Sequence, residues 1–389
     1  MEVIGKRVLR EENRMKRNKL RVLMIEHFSS SNNYSIDLCR ELNKYVNLML
    51  LTVNDSNLVK EEFNFSKKLY GSSKENEIIK IFSYLKSVLY TIREIIKGKY
   101  DVVHIQTFRT LPIEPLVYLF LKPFINRFII TIHNIAPHEG KLKHKKILEK
   151  LYSEADALIV HNNESKKVLL EAYNIKSNDV FVIPHGIYSN NNINLNNINK
   201  TRGKKTNFLF FGLIRKYKGI DILIEAVSSL PDSVKENIAV TIIGKQDKVL
   251  DNTDYNKKIS DNNLEHVINF KPVRIPDEEL SLYFNDADFC IFPYKNIYGS
   301  GALLMSYTFN VPVIVSDLPS FLEETNYGKS GLIFKNNDSK DLSRKICEAS
   351  KLNKNKIELY KKNINILVTN KYNWESSARS TVRCYIEGK

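Results

Sequence analysis

Short apolar runs recur along this chain, each separated from the next by a longer stretch of mixed or helical pattern. In the first half the runs are residues 20–25 (LRVLMI), 46–53, 101–105, 128–132, 157–160 and 180–183. In the second half they are residues 208–211, 239–243, 266–270, 289–292, 313–315 and 331–334. A run of this length with no polar alternation suits a strand buried on both faces, as in a parallel sheet. Parallel neighbours need a crossover, and helical patterns fill most of the gaps. Helices are expected at residues 34–43, 77–99, 219–230, 277–285, 302–309, 339–350 and 372–387. The pattern therefore predicts an α/β chain of parallel βαβ units forming doubly wound sheets.

The alternation is interrupted once, by an Asn-dense stretch whose composition cannot bury a core. With 389 residues the chain is also too long for one small core. The expected organisation is a basic N-terminal arm (1–19), a first α/β domain (20–187), a linker (188–206), a second α/β domain (207–370) and a C-terminal helix (371–389). That helix is expected to pack back on the first domain. Ligands in such sheets bind beyond the carboxyl ends of the strands, so two of these edges facing each other would form a cleft.

Composition excludes several classes. Four widely spaced cysteines with no CxxC pair leave neither a disulfide framework nor a zinc knuckle. Residues 1–19 are charged and lack the apolar core of a secretory signal. No stretch is long and apolar enough to span a bilayer; the best, residues 116–125, is short and contains Lys122 and Pro123. The formal charge of +15 favours an anionic partner. The lysines are dispersed and no nucleic-acid-binding signature accompanies them, so phosphorylated substrates or an acidic membrane face are preferred to nucleic acid. The first strand leads into Ser-Ser-Ser-Asn-Asn, with no GxGxxG, which argues against a dinucleotide cofactor.

Three segments carry the chemistry. In residues 208–226 (FLFFGLIRKYKGIDILIEA) an apolar strand ends at Gly212, Arg215 and Lys218 occupy the turn, and a helix begins near Gly219. Cations and free backbone N–H groups at a strand-to-helix junction suit a phosphate, although a solvated basic turn would have the same composition. In residues 287–318 a strand ends at Pro293 and a loop runs through Gly299-Ser300-Gly301 into another helix. Ser300 can cap that helix and its N-terminus offers a second anion site. In residues 128–139 (FIITIHNIAPHE) His133 follows directly on a buried strand, and His138 and Glu139 lie further along the same loop. Either of the last two could serve as a base, or Pro-His-Glu could simply open a helix.

Taken in order, these motifs resemble the GT-B glycosyltransferases, in particular glycosyltransferase family 4 (group 1). The turn from Gly212 to Gly219, with Lys218 before the second glycine, is similar to the family's GxxxxxKG. Gly301 through Pro312-Val313-Ile314 is similar to its glycine loop and xPVI helix end, and DVVH (101–104), ADALIV with Ser165, and VIPHG (182–186) are similar to elements of its first half. The resemblance implies two Rossmann-like domains facing across a cleft and a nucleotide-diphosphate sugar donor, UDP- or GDP-linked, with no metal and no further cofactor required. It implies that Arg215 and Lys218 neutralise the donor diphosphate, that Gly212, Ser300 and Gly301 contact it, and that Glu323 stands where the family has a conserved-motif glutamate. His133 would lie beside the donor sugar, with His138 or Glu139 as base. The acceptor would be a glycan or a polyprenyl-linked glycan in cell-surface polysaccharide or glycolipid synthesis, and the protein would be cytoplasmic and peripheral on the inner face of the membrane.

The sequence also departs from the family. The paired glutamates eight positions apart are replaced by Ile297 and Met305, and Leu213 stands where an arginine is usual. These departures keep two alternatives open: a non-catalytic GT-B binding subunit, and a nucleotide-sugar epimerase on the same fold.

Overall fold

Two parallel sheets carry the chain. The computed structural model describes residues 19–27, 34–53, 58, 60–70, 77–107, 114–135, 145–188 and 205–387. The expectations for His138, Glu139, nearly all of the N-terminal arm and most of the Asn-rich stretch fall outside these residues.

The first unit comprises Met1–Gly186 and Tyr372–Lys389. It runs β1 (Arg21–Glu26), α1 (Tyr34–Leu42), β2 (Asn47–Val53), β3 (Asn64–Leu69), α2 (Glu77–Gly98), β4 (Val102–Thr107), α3 (Glu114–Leu121), β5 (Phe128–Ile132), α4 (Lys145–Glu154), β6 (Ala157–Val160), α5 (Asn163–Ala172) and β7 (Val180–Val182). The second unit, Ile187–Lys371, starts with β8 (Thr206–Phe211), α6 (Ile220–Ser228), α7 (Asp232–Lys235), β9 (Ile238–Ile243), α8 (Tyr255–Asp261), β10 (Ile268–Lys271), α9 (Leu280–Asp286) and β11 (Phe289–Phe292). It continues through α10 (Gly301–Thr308), β12 (Val313–Ser316), α11 (Pro319–Glu324), β13 (Gly331–Phe334), α12 (Ser339–Ser350) and α13 (Lys354–Asn370). The last helix, α14 (Trp374–Glu387), belongs to the first unit.

The strand orders are β3-β2-β1-β4-β5-β6-β7 and β10-β9-β8-β11-β12-β13. In both, the chain builds outward over three strands and then crosses back to lay the fourth beside the first, the Rossmann arrangement, so each sheet has a switch point between its first and fourth strands. In the first sheet Met24 lies between Leu50 and His104, and Glu26 lies opposite Gln106. Alternate side chains of β1 feed two cores. Leu23 and Ile25 pack with Ile95, Tyr118, Leu121 and Leu151 from α2, α3 and α4. Val22 and Met24 pack with Leu38 and Leu42 of α1 and with Ala378, Val382 and Tyr385 of α14.

The polar residue that interrupts β4 locks α14 in place. His104 is fully buried, with Nδ1 2.7 Å from the Tyr385 hydroxyl and Nε2 2.7 Å from Thr131 Oγ1. Both ring nitrogens are therefore satisfied, as a buried imidazole requires. Burial holds its pKa down at about 3. Arg127 donates to the Tyr385 carbonyl at the same contact.

The sequence pattern does not announce β3. Its residues, NFSKKL, alternate poorly and include two lysines. It is the sheet edge, where lysines deter pairing with another chain and a continuous apolar run is unnecessary. Cys39, Cys290 and Cys384 are free and buried, and Cys347 is half-buried.

Candidate functional site

At the switch point of the second unit, β8 ends and the backbone turns at Gly212, with φ +135°. A 3-10 turn over Lys216–Lys218 follows, and Gly219, at φ +70°, starts α6. Glycine is required there on two counts: the left-handed backbone, and the fact that an added Cβ would overlap the Pro293 carbonyl oxygen. The turn is thereby pressed against the end of β11.

This close approach buries Lys218, which is only 8% exposed. Its Nζ donates to the Tyr294 hydroxyl at 2.7 Å and lies 4.0 Å from that ring's centroid. Burial, reinforced by the Arg215 charge, lowers its pKa from 10.5 to about 7. Tyr294 is itself fully buried, and its carbonyl accepts from Ser316 Oγ at 2.7 Å. A Cβ at Gly212 would stand 3.6 Å from Lys218 Nζ and 3.8 Å from both Tyr294 Oη and Ala302 Cβ. Gly212, Lys218, Tyr294 and the N-terminus of α10 therefore converge.

Arg215 holds Asp247 loosely, Nη2 to Oδ2 3.4 Å, and its buried Nε has no hydrogen-bond partner. Ser300 caps α10, its side chain accepting from Leu303 N at 3.2 Å. Gly301 faces the Tyr188 hydroxyl. The site thus holds a buried amine, a partly satisfied guanidinium and a capped helix N-terminus, a combination matched to a phosphate group.

Glu323 lies elsewhere. It is paired with Lys371 at 3.2 Å. Its neighbour Glu324 is buried, with Oε1 3.4 Å from Ser300 N. Consecutive helical side chains point about 100° apart, so α11 can turn only one of the two toward the Ser300 loop. Ile297 is buried in that loop, and its carbonyl accepts from Ser320 Oγ at 3.1 Å.

In the first unit the carboxyl ends of β4, β5, β6 and β7 present Gln106, His133, His161 and His185. His133 Nε2 is 2.9 Å from Gln106 Oε1, and its Nδ1 is 3.0 Å from His161 Nε2. His161 Nδ1 is 3.0 Å from the Ile183 carbonyl. Tyr34 packs edge-on to His133, at 4.6 Å between centroids, and lies 4.8 Å from His185 and 5.2 Å from Trp374. Burial pushes the His133 pKa well below 6.5, with the neighbouring imidazoles adding to the effect, and lowers that of His161 to about 4.

Neutral rings give this chain a direction. The Ile183 carbonyl can only accept, so His161 Nδ1 carries its proton and His161 Nε2 accepts from His133 Nδ1. His133 Nε2 is then an acceptor, satisfied when Gln106 turns its amide NH2 group toward it. His133 is thus a fixed neutral imidazole at the sheet edge, with Asn134 exposed beside it.

Sequence reasoning did not single out Tyr294, Glu324, Gln106 or His161. Three of the four had a legible signal: Gln106, His161 and Tyr294 each sit at or just past the end of an apolar run. Glu324 had none, because helix phase decides it.

Two Rossmann-ordered parallel sheets, one carrying a phosphate-suited site at its switch point, place the protein in the GT-B class of glycosyltransferase folds. Two family models divide the chain between them: Glycosyltransferase Family 4 over residues 31–190 and Glycosyl transferases group 1 over residues 191–366. The chain belongs to this family. An uncharacterized glycosyltransferase of Methanocaldococcus jannaschii is 23% identical over 239 residues, 60% of this chain and 59% of that protein. A GDP-mannose:glycolipid 4-beta-D-mannosyltransferase of Xanthomonas campestris is 22% identical over 242 residues, 58% of this chain and 64% of that protein. The match thus spans less than two thirds of either relative's length. Among solved structures, a Rickettsia africae glycosyltransferase superposes with TM-score 0.72 at 18% identity, covering 95% of this chain and 98% of that one. Anabaena HepE in complex with UDP and glucose gives 0.72 at 12% identity, covering 93% and 98%.

Proposed function

We propose that this protein transfers a sugar from a nucleotide-diphosphate sugar to a glycan or lipid-linked glycan acceptor. The observation that carries this reading is the buried Lys218 amine at the second unit's switch point, between Gly212, Tyr294 and the capped start of α10. An isolated buried ammonium is costly, and its lowered pKa reflects that cost. A diphosphate would restore its charge. As the nucleotide leaves, negative charge grows on the phosphate oxygens, and fixed cations stabilise that charge more than the ground state. In this reading Lys218 and Arg215 hold the diphosphate, and Gly212, Ser300 and Gly301 let it approach the backbone.

Glu324 reaches the Ser300 loop where the family's glutamates are replaced by Ile297 and Met305. We assign it, rather than Glu323, to the donor site. A carboxylate there could accept a hydrogen bond from a ribose or sugar hydroxyl. His133, held neutral, is suited to hydrogen bonding rather than to ion pairing. This reading takes in UDP- and GDP-linked donors alike: HepE was solved with UDP, and the Xanthomonas relative is named for GDP-mannose. That relative's glycolipid acceptor supports a lipid-linked acceptor here, and with it work at the inner face of the membrane.

A thermal-shift panel of UDP, GDP, ADP, CMP and their sugar conjugates tests this reading. A rise of several degrees with one diphosphate, lost in Arg215→Ala/Lys218→Ala, is the expected result. No rise with any of them would remove the donor site and favour a non-catalytic subunit, the reading that the loss of the paired glutamates supports.

A further inference from the structure

Helix α2 carries apolar side chains on its outer face as well as toward the core, against which Tyr90 and Ile92 pack. Its inward row is Ser87, Thr91 and Ile95, all buried. The two hydroxyls are satisfied locally: Ser87 Oγ donates to Ser83 O at 2.9 Å and accepts from Tyr70 N at 2.6 Å, and Thr91 Oγ1 donates to Ser87 O at 2.9 Å. Its outward row is Phe82, Leu85, Leu89 and Ile96, with Phe82 62% and Leu89 66% exposed. The spacings of three, four and seven residues put these four on one line. At 1.5 Å per residue, that line is about 21 Å long. Helix α3, which packs beside α2, exposes Leu116 and Phe120, and Phe124 follows in the next turn; Phe120 is 68% exposed. An apolar surface this extensive marks an interaction site rather than ordinary surface scatter.

The charges say what kind of partner fits. Exposed Lys86, Arg93 and Lys97 form a second line along α2, directly flanking the apolar one. Among the described side chains of α2, α3 and residues 122–124 no carboxylate is exposed. Glu94 is half-buried and bonded to Tyr100, and Glu114 is buried. The apolar line itself carries no hydrogen-bonding side chain with which to address a protein partner. An apolar stripe bordered by long cationic side chains is the form of a helix lying in a lipid headgroup layer, where the stripe enters the acyl boundary and the cations reach the phosphates. No described helix is long and apolar enough to cross a membrane.

We infer that the outer face of α2, extended by Leu116, Phe120 and Phe124, docks this protein on a bilayer leaflet containing anionic lipid. The inference deepens the lipid-linked acceptor reading and rests on it only for the purpose the docking would serve. The surface argument itself stands on exposure and charge.

The test is co-sedimentation of the full chain with vesicles of phosphatidylcholine alone and of phosphatidylcholine with phosphatidylglycerol. The variants are Phe82→Ser/Leu89→Ser and Lys86→Glu/Arg93→Glu/Lys97→Glu. All five side chains are exposed, so folding should persist, and an unchanged circular dichroism melt checks that. The wild type is expected to prefer the anionic vesicles and to lose that preference in high salt. The apolar variant should bind them at least about tenfold more weakly, and each cation removed should cost about fivefold. Equal binding by wild type and variants, or none by the wild type, overturns the inference. So does a lipid-free wild-type dimer that Phe82→Ser/Leu89→Ser converts to monomer, since the face would then belong to a second copy. The nucleotide thermal shift, measured on the same preparations, reports separately on the donor reading.

Discussion

The two units share a strand order but line the carboxyl ends of their strands with different electrostatics. In the second unit the sheet edge buries a cation, Lys218, and leaves Arg215 only loosely engaged by Asp247. In the first unit the same edge is lined by neutral imidazoles, His133, His161 and His185, packed on Tyr34 and Trp374. One edge leaves a buried guanidinium nitrogen, Arg215 Nε, without a hydrogen-bond partner. At the other, hydrogen bonds run from Gln106 through two histidines to the Ile183 carbonyl. A shared topology thus fixes where a site can be, and the residues at the strand ends decide what charge it accepts.

Glycine substitutions at the two edges should separate them most sharply. Gly219→Ala places a methyl on a backbone carbonyl at positive φ, whereas Gly186→Ala first meets the Trp374 ring, a side chain, with no positive φ to strain. Gly219→Ala is expected to cost about 3 kcal/mol, about 6–12 °C in melting temperature, and Gly186→Ala clearly less. Equal losses by calorimetry would show that the turn is not pinned by backbone.

The next contrast is in binding. Lys218→Ala should weaken nucleotide-diphosphate affinity about 30- to 150-fold, from the loss of a charge-assisted bond of about 2–3 kcal/mol. His133→Ala should leave free-diphosphate affinity nearly unchanged in titration calorimetry. A comparable loss in both would place the nucleotide against the imidazoles as well.

The edges also respond oppositely to pH. Lys218 binds an anion as the ammonium, so diphosphate affinity should fall as pH rises through about 7, with net proton uptake on binding. In the first unit the folded pKa of His161 is about 4 and that of His185 about 3, below the unfolded value near 6.5. Between these values the unfolded chain binds more protons, because burial lowers five histidines of this unit, His27, His104, His133, His161 and His185, whereas Glu26 alone, raised to about 8, acts the other way. First-unit stability should therefore rise with pH over this window and fall on acidification through it. Urea unfolding followed by Trp374 fluorescence at pH 5 and pH 7.5 checks the sign.

The smallest expected effect lies at Asp247. Asp247→Asn removes the carboxylate that competes for Arg215 and should tighten diphosphate binding only about two- to fivefold, as for a partly exposed pair. A loss instead would mean that Asp247 orients the guanidinium productively.

The sequence alone determined the strand runs, because burial on both faces forces an uninterrupted apolar segment. β5, β6, β11 and β13 lie where the runs at 128–132, 157–160, 289–292 and 331–334 place them. It also determined that Lys218 sits in a strand-to-helix turn beside two glycines. Only the tertiary structure decided the rest. Edge strand β3 carries no apolar signature because an edge needs none. Glu324 rather than Glu323 turns to the Ser300 loop because helix phase, not composition, sets direction. The aromatic–imidazole cluster draws Tyr34, His133 and Trp374 from distant parts of the chain. Lys218 is buried because Gly219 lets the turn approach Pro293, a property of packing that no single stretch of sequence contains.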